Sequence, residues 1–259
     1  MSRIFLILLW STTFLFGQDL KKEDNTPLQA DEFIGVDTFN NTFFIKDMAL
    51  YKTGSLGSFV FQDFQLGPIK NVDIINPLNV VVFYEATNTV LFLDNRLNEI
   101  ERINFASLPE FLNVSFATNA GNNRLWIFNL DSQQLELYNY RTRRKTVVSQ
   151  PFNGTFVDQT SDFNYCFVST STAIYAFNVY GSILWKLPIE DVSNLCLKDD
   201  ALIILQKEKL LYYNDKQKEL IPLDIPEITI KDLWSTQEFL YIYDLKNIHK
   251  YTLTAPNKN

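Results

Sequence analysis

Short apolar runs broken by polar turns recur along this chain. Each run ends on a tyrosine, phenylalanine or leucine, and the six copies end at Tyr51, Leu93, Tyr138, Phe177, Tyr213 and Tyr251. Successive copies end 42, 45, 39, 36 and 38 residues apart, a mean of 40. A period near 40 that holds only strand-like pieces is typical of the blades of a β-propeller. The pattern therefore predicts six blades.

Each of the first five repeats divides into four strands. Those of the second repeat are predicted at 71–75, 80–84, 89–93 and 99–105. Proline, asparagine and aspartate stand between them, as turns require. The second strand of each repeat, such as Leu202–Leu205, is apolar throughout, as expected when both faces of a sheet are covered. We predict an all-β, six-bladed β-propeller of four-stranded antiparallel blades over residues 31–254.

The sixth repeat lacks a fourth strand. After Leu253 the chain meets Pro256 within a short tail, 255–259. An unfinished blade leaves an unpaired strand edge, so another segment is needed to close the ring. The leader at 18–30 precedes the first blade, and we expect it to supply the missing strand near Leu28.

Residues 1–17 have the composition of a signal peptide. Arg3 precedes a mainly apolar run from Ile4 to Phe16, and Gly17 is a small residue at the expected cleavage point. The run is shorter than the roughly 20 residues of a membrane-spanning helix; a retained anchor is the alternative. We expect export to the periplasm or the outer-membrane periphery, with no integral membrane segment after cleavage. Cleavage changes the formal charge from −7 to −8, which disfavours nucleic acid as a partner.

One repeat carries a recognisable phrase. Residues 173–186 read Ala-Ile-Tyr-Ala-Phe-Asn-Val-Tyr-Gly-Ser-Ile-Leu-Trp-Lys. This phrase resembles the repeat of PQQ-like (quinoprotein-type) propellers, and it is similar to the repeats of the periplasmic propeller subunit of the outer-membrane barrel assembly machinery. The resemblance covers one blade. It implies the propeller fold and export, and it carries over no quinone ligand.

An acid or amide stands just before or within the first strand of every repeat. The six residues are Glu32, Asp73, Asn113, Asp158, Asn194 and Asp232. First strands line the central channel of a propeller, so we expect a ring that attracts a cation or a basic peptide segment, because converging carboxylates concentrate negative potential. The alternative is that each side chain caps nearby backbone N–H groups.

A basic turn interrupts the acidic sequence between the third and fourth strands of the third repeat. It contains Tyr140, Arg141, Arg143, Arg144 and Lys145. Tyrosine and arginine are enriched at protein interfaces. The turn is therefore a candidate docking patch on the outer rim, with a solvated hairpin tip as the alternative.

Residues suited to covalent or metal chemistry are scarce. The chain has one histidine, His249, and two cysteines, Cys166 and Cys196. A Ser-His-Asp site would have to use this histidine, and its neighbours do not resemble such a set. An exported chain permits a disulfide between Cys166 and Cys196; two buried, unpaired thiols are the alternative.

Aromatic residues are abundant, with 22 Phe, 12 Tyr and 4 Trp. We expect most of them to pack between blades. Five stand in loops, at Phe39, Phe64, Phe111, Phe152 and Trp234. If these gathered on one face, they would form a surface for a protein or for stacking on carbohydrate.

These features favour an exported, non-catalytic propeller that binds proteins as a scaffold in the bacterial cell envelope. The sequence contains no nucleophile motif, cofactor fingerprint or calcium-loop pattern, so we expect no enzyme activity, no cofactor and no metal. Two alternatives stay open. One is a glycan-binding propeller, and the other is a metal-dependent, lactonase-like hydrolase that uses the channel carboxylates.

Overall fold

The prediction of an all-β, six-bladed propeller is confirmed. The structure is a computed structural model that describes residues 18–225 and 227–253. Over these residues the chain forms 24 β-strands and one short 3₁₀ helix, Phe105–Ser107. Each blade has four strands, with the first innermost and the fourth outermost.

The first five blades follow one another along the chain. Blade 1 comprises β2 (Glu32–Val36), β3 (Thr42–Lys46), β4 (Ala49–Gly54) and β5 (Gly57–Phe61). Blade 2 comprises β6 (Asn71–Asp73), β7 (Val80–Tyr84), β8 (Thr89–Leu93) and β9 (Glu99–Asn104). Blade 3 comprises β10 (Val114–Asn119), β11 (Arg124–Asn129), β12 (Gln134–Asn139) and β13 (Arg144–Val147). Blade 4 comprises β14 (Phe156–Ser161), β15 (Tyr165–Thr170), β16 (Ala173–Asn178) and β17 (Ile183–Pro188). Blade 5 comprises β18 (Val192–Lys198), β19 (Ala201–Gln206), β20 (Lys209–Asn214) and β21 (Glu219–Asp224).

Blade 6 is assembled from two distant parts of the chain. Its inner strands are β22 (Asp232–Ser235), β23 (Phe239–Tyr243) and β24 (Asn247–Leu253), and its outer strand is β1 (Gln18–Pro27). β1 pairs antiparallel with β24, and its first two residues also pair in parallel with β21, which joins blades 5 and 6 into one eight-stranded sheet. The strand ends before Leu28, whose backbone N–H donates to the carbonyl of Lys246 (2.9 Å).

The strand β1 contributes little apolar surface to the fold. Leu20 packs partly buried against the blade 5–6 core, whereas residues 21–27 are exposed. The link from β1 to blade 1 is held by Tyr243, whose buried hydroxyl donates to the carbonyl of Ala30 (2.8 Å) and accepts from its N–H (3.1 Å). Backbone pairing therefore holds β1 in blade 6, and this hydroxyl holds the link to blade 1.

The hydrophobic core lies between neighbouring blades, in six clusters that follow the ring. All residues of β7 and β8 are buried, because blades cover both faces of blade 2. Four of the five aromatic ends of the repeated phrase pack in these seams, whereas Tyr51 stacks on Phe44 within blade 1. Tyr138 meets Phe105 edge-on at 5.2 Å, and Tyr213 meets Trp185 at 5.1 Å. The period near 40 thus reflects inter-blade packing.

The two cysteines occupy different seams. Cys166 lies in the core between blades 3 and 4, and Cys196 lies in the core between blades 5 and 6. Both are free thiols, so the disulfide considered from the sequence is not formed. Burial raises the pKa of the Cys196 thiol to about 12, which keeps it protonated and unreactive.

Across the described ranges, no helix is long and apolar enough to cross a membrane.

Candidate functional site

The innermost strands surround a channel that holds a cavity of about 680 Å³. Five of the six acid or amide residues singled out in the sequence line it: Glu32, Asp73, Asp158, Asn194 and Asp232. The sixth, Asn113, lies in the loop before β10, where its Nδ2 donates to Asp131 Oδ1 (2.8 Å). Five of the six residues of the predicted ring therefore lie in the channel wall.

Three aspartates of this ring connect neighbouring blades. In each case a carboxylate oxygen on an inner strand accepts the backbone N–H of the next blade's inner strand. The pairs are Asp73 with Asn119 (2.6 Å), Asp158 with Leu195 (2.7 Å) and Asp232 with Phe33 (2.8 Å). They fall on blades 2, 4 and 6. The alternation was present in the sequence, because the odd-numbered repeats carry Glu32, Asn113 and Asn194 instead.

These contacts occur in a poorly solvated environment. Burial raises the pKa of Asp73 to about 6, although backbone N–H groups of Ile75 and Asn119 oppose the rise. Burial also raises the pKa values of Asp158 and Asp232 against similar backbone hydrogen bonds. A carboxylate that accepts N–H bonds is stabilised in its charged form, but removal from water dominates here.

Glu32 differs from the three aspartates. Within the described residues its carboxylate has no hydrogen bond or ion pair. Burial, followed by the charge of Asp232, raises the pKa of Glu32 to about 7. Asp158 acts in the same direction, while Lys231 and Lys70 oppose the rise. The result is a carboxyl group in the channel that titrates near neutral pH.

Two amide oxygens in the channel wall lack partners among the described residues. Gln159 is only 3% exposed, and its Nε2 donates to Thr118 Oγ1 (3.1 Å) while its Oε1 has no donor. Asn194 Oδ1 is likewise buried and unpaired. A buried acceptor without a donor is unfavourable by roughly 1–3 kcal/mol. The channel wall thus contains two buried acceptors that no donor among the described residues satisfies.

The carboxylates do not assemble as the hydrolase alternative predicted. In the part of the chain that the structure describes, no group of three or more His, Cys, Asp or Glu side chains is arranged to hold a metal ion. His249 lies on β24, away from the channel, where its ring contacts Asp244 Oδ2 (2.7 Å) and Lys22 Nζ (3.0 Å). Burial by itself would raise the pKa of Asp244. Hydrogen bonds from His249 and from backbone N–H groups outweigh it and lower this pKa to about 2.

The basic turn lies on the outer part of blade 3, where Tyr140, Arg141 and Arg143 connect β12 to β13 and Arg144 and Lys145 begin β13. Three of its five members contact blade 2 or the loop that follows it: Tyr140 packs on Phe92 (4.6 Å between ring centroids), Arg141 pairs with Glu101 (3.2 Å) and Lys145 pairs with Glu110 (2.9 Å). Arg143 and Arg144 are exposed. Acids distant in sequence therefore neutralise part of this patch, which the local charge run did not reveal.

The loop aromatics do not gather on one face of the ring. The sequence had left that arrangement open. Phe152 is buried against Phe128, and Trp234 lines the channel and donates to the carbonyl of Val36 (2.9 Å). Phe39 lies in the loop between the first two strands of blade 1. Phe64, in a connection between blades, belongs to the opposite face of the ring.

A different apolar surface forms at one corner of blade 4. Phe163, Tyr165, Tyr180 and Ile183 are all exposed, Tyr180 by 88%, and we call these four residues the blade-4 corner. Their loops lie side by side, because the N–H of Val179 donates to the carbonyl of Asn164 (2.7 Å). The corner overlaps the phrase at 173–186 that resembles the PQQ-like repeat. Sequence reasoning missed it because Phe163 and Tyr180 belong to different turns.

Fold and channel together define the class of this protein as a six-bladed β-propeller with an acid-lined central cavity. No protein-family model matches the chain, and no curated protein matches it either. Solved structures do. An inactive variant of virginiamycin B lyase from Staphylococcus aureus, solved with quinupristin, matches with a TM-score of 0.59 and 12% identity over 89% of this chain and 99% of that one.

Two other structures share the fold. BamB from Moraxella catarrhalis matches with a TM-score of 0.56 and 9% identity, over 93% of this chain and 99% of its own. A chain of the mitotic checkpoint complex matches with a TM-score of 0.64 and 9% identity, over 98% and 99%. The expected likeness to the propeller of the barrel assembly machinery is confirmed at the level of the fold.

The lyases correct the expectation that this protein is not an enzyme. That expectation came from the scarcity of histidine, cysteine and known motifs in the sequence. The virginiamycin and streptogramin B lyases are enzymes whose folds match 89% to 94% of this chain. A propeller of this kind can therefore carry catalysis, because function depends on the site rather than on the fold.

Proposed function

We propose that this protein is an exported propeller that binds a partner protein in the bacterial cell envelope. The observation that carries the proposal is the blade-4 corner, where exposed apolar side chains cluster on an otherwise polar turn region. Clusters of this kind mark interaction surfaces on soluble proteins. The BamB and checkpoint-complex matches supply an analogy at the level of fold.

The turns that carry the corner are held in place by side-chain caps. Asn178 Oδ1 accepts the backbone N–H groups of Tyr180 and Ser182, each at 3.0 Å. Asp162 Oδ1 accepts those of Asn164 and Tyr165, each at 2.7 Å. A surface that is already ordered loses less entropy when it binds. The caps therefore order the backbone of both turns that carry the corner.

The location is part of the same proposal. It is supported by the apolar segment at residues 4–16 and by the resemblance of residues 173–186 to the repeats of a periplasmic propeller. Secretion of the chain fused to a reporter that is active only outside the cytoplasm tests it. Absence of reporter activity in cells that make the fusion would contradict export.

Partner binding is tested by crosslinking in envelope extracts with matched surface variants. We expect a discrete crosslinked product that disappears in the double variant Phe163→Ser and Tyr180→Ser. Leu56→Ser is the control, because Leu56 is 85% exposed in the equivalent turn of blade 1 on the same face. Equal crosslinking by both variants would contradict docking at the blade-4 corner.

A catalytic role in the channel is the second candidate. The cavity of about 680 Å³ has the size of a small-molecule site, and Glu32 titrates near neutral pH, as a general acid or base requires. Quinupristin, which one lyase structure contains, is the first probe. Chromatography measures the consumption of quinupristin. Consumption by the wild-type protein but not by Glu32→Gln supports a catalytic role, and no consumption by either protein excludes quinupristin as a substrate.

A further inference from the structure

We propose that the partner of the blade-4 corner presents an acidic segment, in which a carboxylate binds Arg124 and Arg144 while an apolar residue packs on the corner. The inference rests on the proposed function, because it names the chemistry of the partner that docks there. The two arginines belong to blade 3, which faces the corner across the seam between blades 3 and 4.

Blade 3 concentrates the arginines of this acidic chain. The formal net charge of the chain is −7, yet four of its seven arginines fall between residues 124 and 144, at Arg124, Arg141, Arg143 and Arg144. Arg141 is neutralised by Glu101 of blade 2 (3.2 Å). Among the described residues, neither Arg124 nor Arg144 has an ion pair or a side-chain hydrogen bond. These two arginines are therefore available to a carboxylate from outside the chain.

Arg124 and Arg144 stand in one cross-strand row. Asn139 on β12 pairs with Arg124 on β11 and with Arg144 on β13. Residues directly opposite each other on antiparallel strands project on the same face of the sheet. Neighbouring strands lie about 4.8 Å apart, so the backbones of the two arginines are about 10 Å apart. Two side chains of this length can meet one carboxylate group, which arginine binds through parallel N–H donors.

The inner end of the row faces the blade-4 corner. Trp126, two residues along β11 from Arg124, projects on the same side and packs in the core between blades 3 and 4. Its indole N–H donates to the carbonyl of Asp162 (3.1 Å), at the start of the turn that carries Phe163. Phe163 lies beside Gly121, whose carbonyl accepts the backbone N–H of Arg124 (2.9 Å). Arg124 and Phe163 therefore belong to the same small region of one face of the ring.

The outer end of the row faces the other half of the corner. Ile183 on β17 pairs with Phe177, which packs in the core between blades 3 and 4, so the exposed side chain of Ile183 projects toward blade 3. Arg144 lies on the corresponding outer strand of blade 3 and is exposed. The one acid in the turns of the corner is Asp162, and its Oδ1 already accepts two backbone N–H groups. The exposed apolar surface thus borders two cations that have no acid of their own.

A protein segment with carboxylates fits this surface better than a polyanion does. A formal net charge of −7 repels nucleic acids and anionic lipid surfaces. Two arginines beside exposed aromatic side chains match a partner that combines a few carboxylates with an apolar anchor, because aromatic residues and arginine are enriched at protein interfaces. Complementary charge at such an interface adds specificity and speeds association.

Two peptide libraries test the inference against the full chain. Every peptide has a central Phe, Tyr, Trp or Leu. The flanking positions hold Asp and Glu in one library, and Asn and Gln at the same positions in the other. We expect enrichment from the acidic library only. The affinity of the enriched peptides should fall as salt rises from about 50 to about 500 mM, because added ions screen exposed charges.

Variants locate the cations, with affinity measured by isothermal titration calorimetry. Arg124→Gln and Arg144→Gln should each weaken binding of an acidic peptide, and the two together should weaken it roughly tenfold. Arg96→Gln is the matched control, because Arg96 is exposed in the turn between the third and fourth strands of blade 2, on the same face of the ring. Arg124 is half-buried, whereas Arg144 is exposed. Arg144→Gln therefore tests the site without disturbing the core, and unfolding curves establish that each variant is folded.

The outcomes separate the acidic partner from docking itself. Enrichment from the acidic library, with weaker binding in the arginine variants and in the double variant Phe163→Ser and Tyr180→Ser, supports the inference. Equal enrichment from both libraries, with binding lost only in the Phe163 and Tyr180 double variant, would overturn the acidic partner and leave docking at the corner intact.

Three further results would also overturn the acidic partner. They are enrichment from neither library, unchanged affinity of acidic peptides in both arginine variants, and binding of a single-stranded oligonucleotide or of phosphatidylglycerol vesicles without binding of any acidic peptide. In each of these cases the crosslinking experiment with the corner variants decides the proposed function by itself.

Discussion

Replacement of Glu32 by glutamine should stabilise this protein, and only above a certain pH. The carboxyl of Glu32 has an ordinary pKa of 4.5, and burial with the nearby charge of Asp232 raises that pKa to about 7 in the folded chain. The folded protein therefore holds this proton more tightly than the unfolded chain does. The stability that goes with the proton is fully present below pH about 4.5 and is lost as the pH rises through about 7.

The size of the effect follows from the two pKa values. A change from 4.5 to about 7 corresponds to about 3 kcal/mol of stability lost at pH 8. Glu32→Gln keeps the shape of the side chain and removes the charge. The variant should therefore match the wild type at pH 4.5 and exceed it by about 3 kcal/mol at pH 8. For a chain of this size the gain corresponds to about 6–12 °C in melting temperature.

Urea unfolding of both proteins at pH 4.5 and pH 8 provides the measurement. The raised pKa values of Asp73, Asp158 and Asp232 give both proteins a shared loss of stability at high pH, so the difference between them isolates Glu32. Glu208→Gln, in an exposed turn, should show no difference that depends on pH. A gain below about 0.5 kcal/mol at pH 8 would refute the reasoning, because a solvated carboxylate behaves in that way.

Three further predictions concern the fold. Gly35→Ala should destabilise the protein by about 3 kcal/mol, measured by urea unfolding, because the new Cβ would overlap the Trp234 ring at a φ of +150°. Gly57→Ala, at φ +109° with nothing within 4 Å, adds backbone strain without a clash and should cost less. Tyr243→Phe leaves both backbone groups of Ala30 unpaired and should cost about 1–3 kcal/mol, with faster hydrogen exchange in β1. Both cysteines should resist a thiol reagent in the native protein and react after denaturation; rapid native labelling would contradict their burial.

Local pattern was sufficient for the strands because blade strands are short and strongly apolar. The predicted strands at 80–84 and 89–93 coincide with β7 and β8, whose residues are all buried. Closure was harder to locate. The residues of β1 are polar and exposed beyond Leu20, so the strand is recognisable only by its backbone pairing with β24. The search for it near Leu28 followed apolar character, which this strand lacks.

The candidate site, too, could be predicted only in part from the sequence. Acid or amide residues before the inner strands were readable in sequence, and five of the six line the channel. Their individual roles were not readable. Asp158 meets the N–H of Leu195 on the next blade, whereas Glu32 is left without a donor among the described residues. These differences depend on the register between separate blades, which no local pattern encodes.

By itself, the sequence determined the number of blades, the strand order within them and the aromatic packing that joins them. Each of these depends on residues within about 40 positions of one another, where periodicity records burial directly. The tertiary structure decided the rest: the closing strand, the seams that separate Cys166 from Cys196, the blade-4 corner and the unpaired acceptors of the channel. The physical reason is that hydrogen bonding and desolvation depend on which groups from distant segments come together in space.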